Sequence, residues 1–119
     1  MAITDYGLEQ IGSWFMGLDP SFIGSLAFGI DNSVVDTTLN YLGEEITRKA
    51  VTWSWNGNNP QANVSLLSTE ANGSGIGEIG FVVGTSIGSD ACSRDLSAIG
   101  SKDSYFNVEI TADIRITRG

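Results

Sequence analysis

The chain opens on a helical rhythm and then changes to an alternating one. Leu8, Ile11, Trp14, Phe15 and Leu18 recur at helical spacing and form one apolar stripe with polar residues between them. Thr4 or Asp5 suits the N-cap. Gly17 and then Asp19-Pro20 end the run, because a residue before proline avoids the α region. The pattern predicts a helix over about 4–17. Gly7 and Gly12 inside it each cost up to about 1 kcal/mol relative to alanine. Such a helix holds only by docking Trp14 and Phe15 onto something else.

From residue 21 onward the pattern is β. In 21–30, Phe22, Leu26, Phe28 and Ile30 share one parity, and Asp31-Asn32-Ser33 reads as a turn. Residues 34–43 show no period and read as a long loop that packs Leu39 and Leu42. Residues 45–55 alternate, with Thr47, Lys49, Val51, Trp53 and Trp55 on one side and Ile46, Arg48, Ala50, Thr52 and Ser54 on the other. The turn Asn56-Gly57-Asn58-Asn59-Pro60 leads into 62–68, so 45–68 is expected to be a β-hairpin. A loop over 69–75 precedes a strand over 77–83 with Ile79, Phe81 and Val83 on one face. After a turn at 85–89, residues 90–98 form a short strand carrying Cys92, Arg94 and Leu96. The cleanest alternation closes the chain. Phe106, Val108, Ile110, Ala112, Ile114 and Ile116 oppose Asn107, Glu109, Thr111, Asp113 and Arg115, one strand over 105–118 with a buried face and a wet face. The expected architecture is mainly β, a compact antiparallel β-sandwich or β-roll with one N-terminal helix. It forms a single domain over 1–119, the helix at about 4–17 and the β domain at about 21–118.

Composition narrows the chemistry. Fifteen Gly against 2 Pro in 119 residues fit tight turns and bulges better than a linker. Acids outnumber bases 14 to 6, for a net charge of −8. That argues against a nucleic-acid partner, since phosphate neutralisation needs clustered Lys and Arg. The absence of His removes His catalysis and His metal ligation. A single Cys removes an intrachain disulfide framework and a Cys-rich zinc site. No apolar run approaches the roughly 18 residues of a membrane span, and no charged-then-apolar leader opens the chain. No membrane partner, no targeting signal, no catalytic residues, no metal and no cofactor are expected.

Four features are weighed against bland readings. Gly75-Ile76-Gly77-Glu78-Ile79-Gly80 spells a dinucleotide fingerprint, but that motif needs a strand before it and a helix after it. A loop with a bulge is the expectation here. Asp31-Asn32-Ser33 with Asp36 offers oxygen ligands for Ca²⁺, yet the spacing lacks the twelve-residue loop and terminal Glu of a calcium loop, so a self-bonded turn is expected. Cys92 beside Arg94 has no His to act as its base and reads as a half-buried packing residue. Trp53 and Trp55 share one strand face, which suits the core, a subunit interface or a sugar-stacking platform. Trp14 and Phe15 pose the same question. Three Trp and five Phe are many for one small core, which favours burial between subunits.

Several short segments carry a resemblance. They are Asp36-Thr37-Thr38-Leu39, then Leu42-Gly43-Glu44-Glu45-Ile46-Thr47-Arg48-Lys49-Ala50-Val51, then Ser68-Thr69-Glu70-Ala71-Asn72-Gly73, then Gly77-Glu78-Ile79-Gly80-Phe81. With the opening Thr4-Asp5-Tyr6-Gly7-Leu8 and the long final strand, the chain resembles small virion proteins and tail-fibre amino-terminal regions of tailed bacterial and archaeal viruses. Residues 90–102 match it loosely, with Arg94-Asp95 as the best anchor. The resemblance implies a non-catalytic virion protein of the tail tip, baseplate or fibre base, made in the host cytoplasm and assembling as a symmetric homo-oligomer with other virion proteins. A capsid decoration or turret protein is the first alternative. A carbohydrate-binding module for host-surface glycans is the second, using Trp53 and Trp55. In such an assembly the expected interface residues are Trp14, Phe15, Glu44, Arg48, Lys49, Trp53 and Trp55, the charged ones as inter-strand or inter-subunit ion pairs.

Overall fold

The computed structural model describes residues 2–84, 87–88, 90–105 and 107–115, with the side chains of all of these except Ser74 and Ala98. In chain order the elements are β1 (Ala2–Ile3), α1 (Asp5–Phe15), β2 (Ser25–Gly29), β3 (Glu45–Ala50), β4 (Thr52–Asn56), β5 (Asn59–Leu66), β6 (Ser74–Val82), β7 (Ser93–Lys102) and β8 (Val108–Asp113). All strand pairs are antiparallel. The strands form a five-stranded sheet, β1-β7-β6-β2-β3, and a three-stranded sheet, β4-β5-β8. This is a mainly β sandwich with one helix near the N-terminus.

The sandwich follows from side-chain parity. Leu26 and Phe28 of β2, Ile76 and Phe81 of β6, and Ala62, Val64 and Leu66 of β5 meet between the sheets. Val108, Ile110 and Ala112 of β8, then Ile114, close the same core from the edge. Each large side chain buried there contributes roughly 1.5–3 kcal/mol before entropy is subtracted. The opposite parity of β5 and β8 stays polar, with Gln61, Asn63, Glu109, Thr111 and Asp113 on the wet side. A second, smaller cluster of Ala27, Leu42, Val82 and Ala91 lies on the far face of the large sheet. Ala27 has the parity opposite to Leu26 and Phe28, so β2 is buried on both faces and its alternation disappears.

The strand expected over 45–55 is divided. β3 pairs with β2 in the large sheet, while β4 pairs with β5 in the small one. The break is at Val51, whose N–H still reaches the Gly24 carbonyl at 2.9 Å. A strand that turns the corner between sheets keeps its alternation, so periodicity alone cannot show the break. The hairpin is therefore β4–β5, closed by the Gly57-Asn58 pair with Gly57 at φ 62°. The last strand is also shorter than expected. β8 ends at Asp113, opposite Gln61, because the next residue of β5 is Pro60, which has no N–H to complete the pair, although its carbonyl still accepts from the Ile114 N–H at 2.8 Å. Phe106 and Ile116 of the expected strand lie outside the described residues. In the other direction, β6 starts at Ser74 and not Gly77, and β7 runs to Lys102.

Thr4 fixes the helix to the large sheet. Its hydroxyl oxygen accepts from the Gly7 N–H at 3.0 Å and its O–H donates to the Ala91 carbonyl at 2.6 Å. The helix ends at Phe15, short of the expected Gly17. Gly17 takes φ 69° and the Leu18 N–H returns to the Ser13 carbonyl at 3.0 Å, a glycine-terminated helix end. At Gly7 a Cβ would collide with the Cys92 carbonyl, so only glycine lets the helix approach β7 this closely.

Candidate functional site

Two regions concentrate unusual side chains. One is polar and complete. The other is apolar and open.

The polar region lies under the loop at 30–44. Glu78 of β6 has the outward parity, opposite Gly29 of β2, and is fully buried. Its carboxylate accepts from the Gly43 N–H at 2.7 Å, the Glu44 N–H at 2.8 Å, the Asp31 N–H at 2.9 Å and Arg94 Nε at 2.7 Å. Arg94 also donates to the Asp31 and Ser33 carbonyls at 3.1 and 3.3 Å. A Cβ on Gly29 would crowd the Glu78 carboxylate, which explains that glycine. One buried ion pair thus supplies the hydrogen bonds that a loop without secondary structure lacks. The Gly-Glu-Ile-Gly, Leu-Gly-Glu-Glu and Arg94-Asp95 segments of the resemblance all meet here. The sequence reading missed this hub, and its only signal was a lone Glu within an apolar, glycine-rich strand.

The same reasoning places three of the expected interface residues. Arg48 pairs within the chain with Glu45 at 2.5 Å and Asp90 at 2.7 Å, and donates to the Gly84 carbonyl at 3.1 Å. Burial lowers the pKa of Arg48, and the Glu45 and Asp90 carboxylates outweigh that and set it above the ordinary value. Lys49 pairs within the chain with Glu70 at 2.6 Å, and this bond is the largest influence holding the Glu70 carboxyl below its ordinary range. Glu44 is exposed and contributes its main-chain N–H to Glu78. Lys102, which the sequence reading passed over, is buried with its ammonium on the Asn72 side-chain oxygen at 2.8 Å.

The four motifs weighed in the sequence fall as follows. The glycine motif lies wholly within β6, with a bulge between Ile76 and Glu78 and a strand, not a helix, around it. Asp31 and Asp36 accept from the Ser33 and Thr38 N–H groups at 2.8 and 3.0 Å. The Ser33 N–H bond lowers the Asp31 pKa, and the Thr38 hydroxyl and N–H lower that of Asp36. Among the described residues no three His, Cys, Asp or Glu are grouped to hold a metal ion, and no helix is long and apolar enough to cross a membrane. Cys92 is buried just before β7, where burial first and Asp90 second push its thiol up to about 11.

The open region is the end of the sandwich beside α1. Trp53 points inward and stacks on Phe81, with ring centroids 5.9 Å apart, and its Nε1 donates to the Ile23 carbonyl at 2.8 Å. Trp55 has the same parity, but it lies past the cover of the large sheet and is 75% exposed. Trp14, Phe22, Ile23, Trp53, Pro60 and Ile114 line a groove of about 630 Å³. Trp14, Ile23 and Ile114 also wall a cavity of about 220 Å³ that extends under α1 to Ile3 and Ile11. The Trp14 Nε1–H is buried there and has no hydrogen-bond partner among the described residues. Phe15 projects away from the body at 89% exposure, and Phe22 at the groove rim is 68% exposed. The four expected aromatic residues therefore divide: Trp14 and Trp53 line the groove, while Trp55 and Phe15 stand in solvent. At about 150–250 Å² per aromatic side chain, Phe15, Phe22 and Trp55 leave on the order of 400 Å² uncovered. Met16 and Leu18, both exposed, extend the surface. The groove and the cavity are lined almost wholly by apolar side chains.

No family model matches this chain, and neither does any curated protein or solved structure.

Proposed function

We propose that this protein is a virion building block of a tailed virus, placed at the tail tip, baseplate or fibre base, which assembles as a symmetric oligomer with other virion proteins around it. The uncovered apolar end carries the reading. The largest apolar patch of a typical monomer is about 300–600 Å², and the aromatic side chains here reach that range before the aliphatic ones are added. A net charge of −8 keeps free subunits dispersed, which suits a chain that must stay unassembled until its partners arrive. The buried Glu78–Arg94 pair supports the same role, since it fixes the segments of the viral resemblance as rigid loop supports. The sugar-stacking alternative has less support, because Trp53 is engaged with Phe81 and Ile23, leaving Trp55 as the exposed ring of the pair.

The test is the position and copy number of the chain in purified particles, read by quantitative mass spectrometry of separated heads and tails. Recovery in the tail fraction at a fixed multiple of a symmetric ring is the expected result. Recovery with heads selects the decoration role, and absence from particles refutes the virion reading.

A further inference from the structure

The cavity under α1 and the groove beside it share a wall, since Trp14, Ile23 and Ile114 line both. Behind that wall the cavity reaches Ile3, Ile11 and Phe81, between the helix and the large sheet. Its volume of about 220 Å³ exceeds the roughly 150 Å³ of a protein cavity that takes up benzene. Close-packed interiors hold few voids larger than a water molecule. Water is a poor occupant for this one, because a buried water needs about two to four polar partners. Among the described lining residues only Ser93 carries a hydroxyl, and its oxygen already accepts from the Phe81 N–H at 3.0 Å. None of the described residues lining the cavity or the groove is charged. A carboxylate or ammonium would be stripped of water there with no counter-charge. The occupant that matches is small, uncharged and apolar.

The three wall residues are not held alike. The Ile23 carbonyl accepts from the Trp53 indole, and the Ile114 N–H donates to the Pro60 carbonyl, both at 2.8 Å. The Trp14 Nε1–H is buried and has no acceptor among the described residues. A buried donor without an acceptor is unfavourable. Turning the Trp14 indole toward the groove lets its N–H meet water or a ligand oxygen, and the same turn opens the cavity to the groove.

We propose that the cavity under α1 is a binding site for one small uncharged apolar molecule, entered from the groove when Trp14 swings aside. The experiment is titration of the chain with hexanol, read in nitrogen–proton correlation spectra of the three Trp indoles, with Trp14→Phe assigning one signal. Hexanol is expected to move the Trp14 signal saturably, and that of Trp53, whose N–H stays on Ile23, far less. Affinity should rise about fourfold for each CH₂ added from butanol to hexanol. Hexanoate, the same chain with a charge, should bind at least about 10-fold more weakly. Ile3→Phe and Ile11→Phe narrow the cavity, and each should weaken hexanol by about 10-fold. Both side chains are partly exposed, so the larger rings can be accommodated, and thermal melts identify the variants that fold. No saturable shift up to the solubility of hexanol overturns the site. So does a shift unchanged in whichever of the two variants folds, since hexanol then lies outside the cavity. Equal binding of hexanoate overturns the uncharged class. The site does not depend on the assembly reading: hexanol binding by a chain absent from particles refutes that reading alone.

Discussion

Glu78→Ala tests what holds the loop at 30–44. The substitution removes four hydrogen bonds at once, three from the Asp31, Gly43 and Glu44 N–H groups and one from Arg94. Truncating one member of a buried ion pair costs about 3–5 kcal/mol. Each buried N–H left without an acceptor adds about 1–3 kcal/mol if it stays dry. Those costs do not simply add, because the loop can detach and hydrate its own backbone. Arg94 also keeps the Asp31 and Ser33 carbonyls, which softens its loss. The expected destabilisation is therefore about 3–4 kcal/mol, a large fraction of the about 5–15 kcal/mol that a domain of this kind possesses. Urea unfolding followed by tryptophan fluorescence measures it. Hydrogen exchange should show the amides of Asp31, Gly43 and Glu44 losing protection before those of β2. The pair Glu78→Leu with Arg94→Met separates the two parts of the cost. It removes the stranded cation and should recover some stability, yet it leaves three N–H groups without an acceptor and should stay below wild type. A loss under about 1 kcal/mol for Glu78→Ala, with loop protection intact, would refute the reasoning.

The geometry also sets the outcome of simpler perturbations. Trp53→Ala should cost roughly 2–3 kcal/mol in urea unfolding, less than a fully buried Trp, because one face remains wet. Trp55→Ala should stay within about 0.5 kcal/mol in the isolated chain. Cys92 should resist thiol reagents in the native state up to about pH 9 and react only through unfolding, as followed by absorbance of the released chromophore. Its raised pKa also stabilises the fold while the thiol is neutral. That contribution is complete below the unfolded value of about 8.5 and is lost as pH climbs through about 11. The lowered carboxyls of Glu70, Asp31 and Asp36 act in the opposite sense. They contribute above the ordinary carboxylate range, and a pH series of thermal melts should fall from roughly pH 4.5 downward.

The elements that could be read from sequence are those where one face is wet and one is dry. β8 and β5 alternate because their outer parity meets water, and α1 is bounded by side chains and glycines with local jobs, Thr4 and Gly17. Reading fails where burial or a partner outside the element decides. β2 is covered on both sides, so Ala27 and Leu26 look alike. The corner at Val51 preserves alternation and carries no glycine or proline to mark it. The stripe on α1 shows that a face is apolar, but not which way it points. Gly7 settles that, since the close approach it permits turns Leu8 and Phe15 outward. Arg48 and Lys49 look like interface charges in one dimension because Asp90 and Glu70, their partners within the chain, lie far along it. Glu78 is the hardest to see, since its one local mark is that it stands alone in an apolar, glycine-rich strand.

The ion pairs and the apolar end divide the molecule into two halves with different unfinished business. Around the loop at 30–44 and the start of β3, charges are buried only where they are matched: Glu78 with Arg94, and Arg48 with Glu45 and Asp90. An unmatched charge there would cost several kcal/mol, so each cation is held by the chain itself and is not available to recruit a partner. The groove residues Trp14, Phe22, Ile23, Trp53, Pro60 and Ile114 include no charged side chain at all. Association through that end would therefore gain from dehydrating rings and aliphatic chains, and the surplus acids elsewhere would oppose it at long range. Salt shortens that repulsion to about 8 Å at physiological strength without weakening the apolar contact. Self-association should consequently strengthen with added salt and level off, whereas an interface built on Arg48 and Lys49 would weaken. The sign of that salt dependence, measured by sedimentation, distinguishes an apolar joint from a charged one.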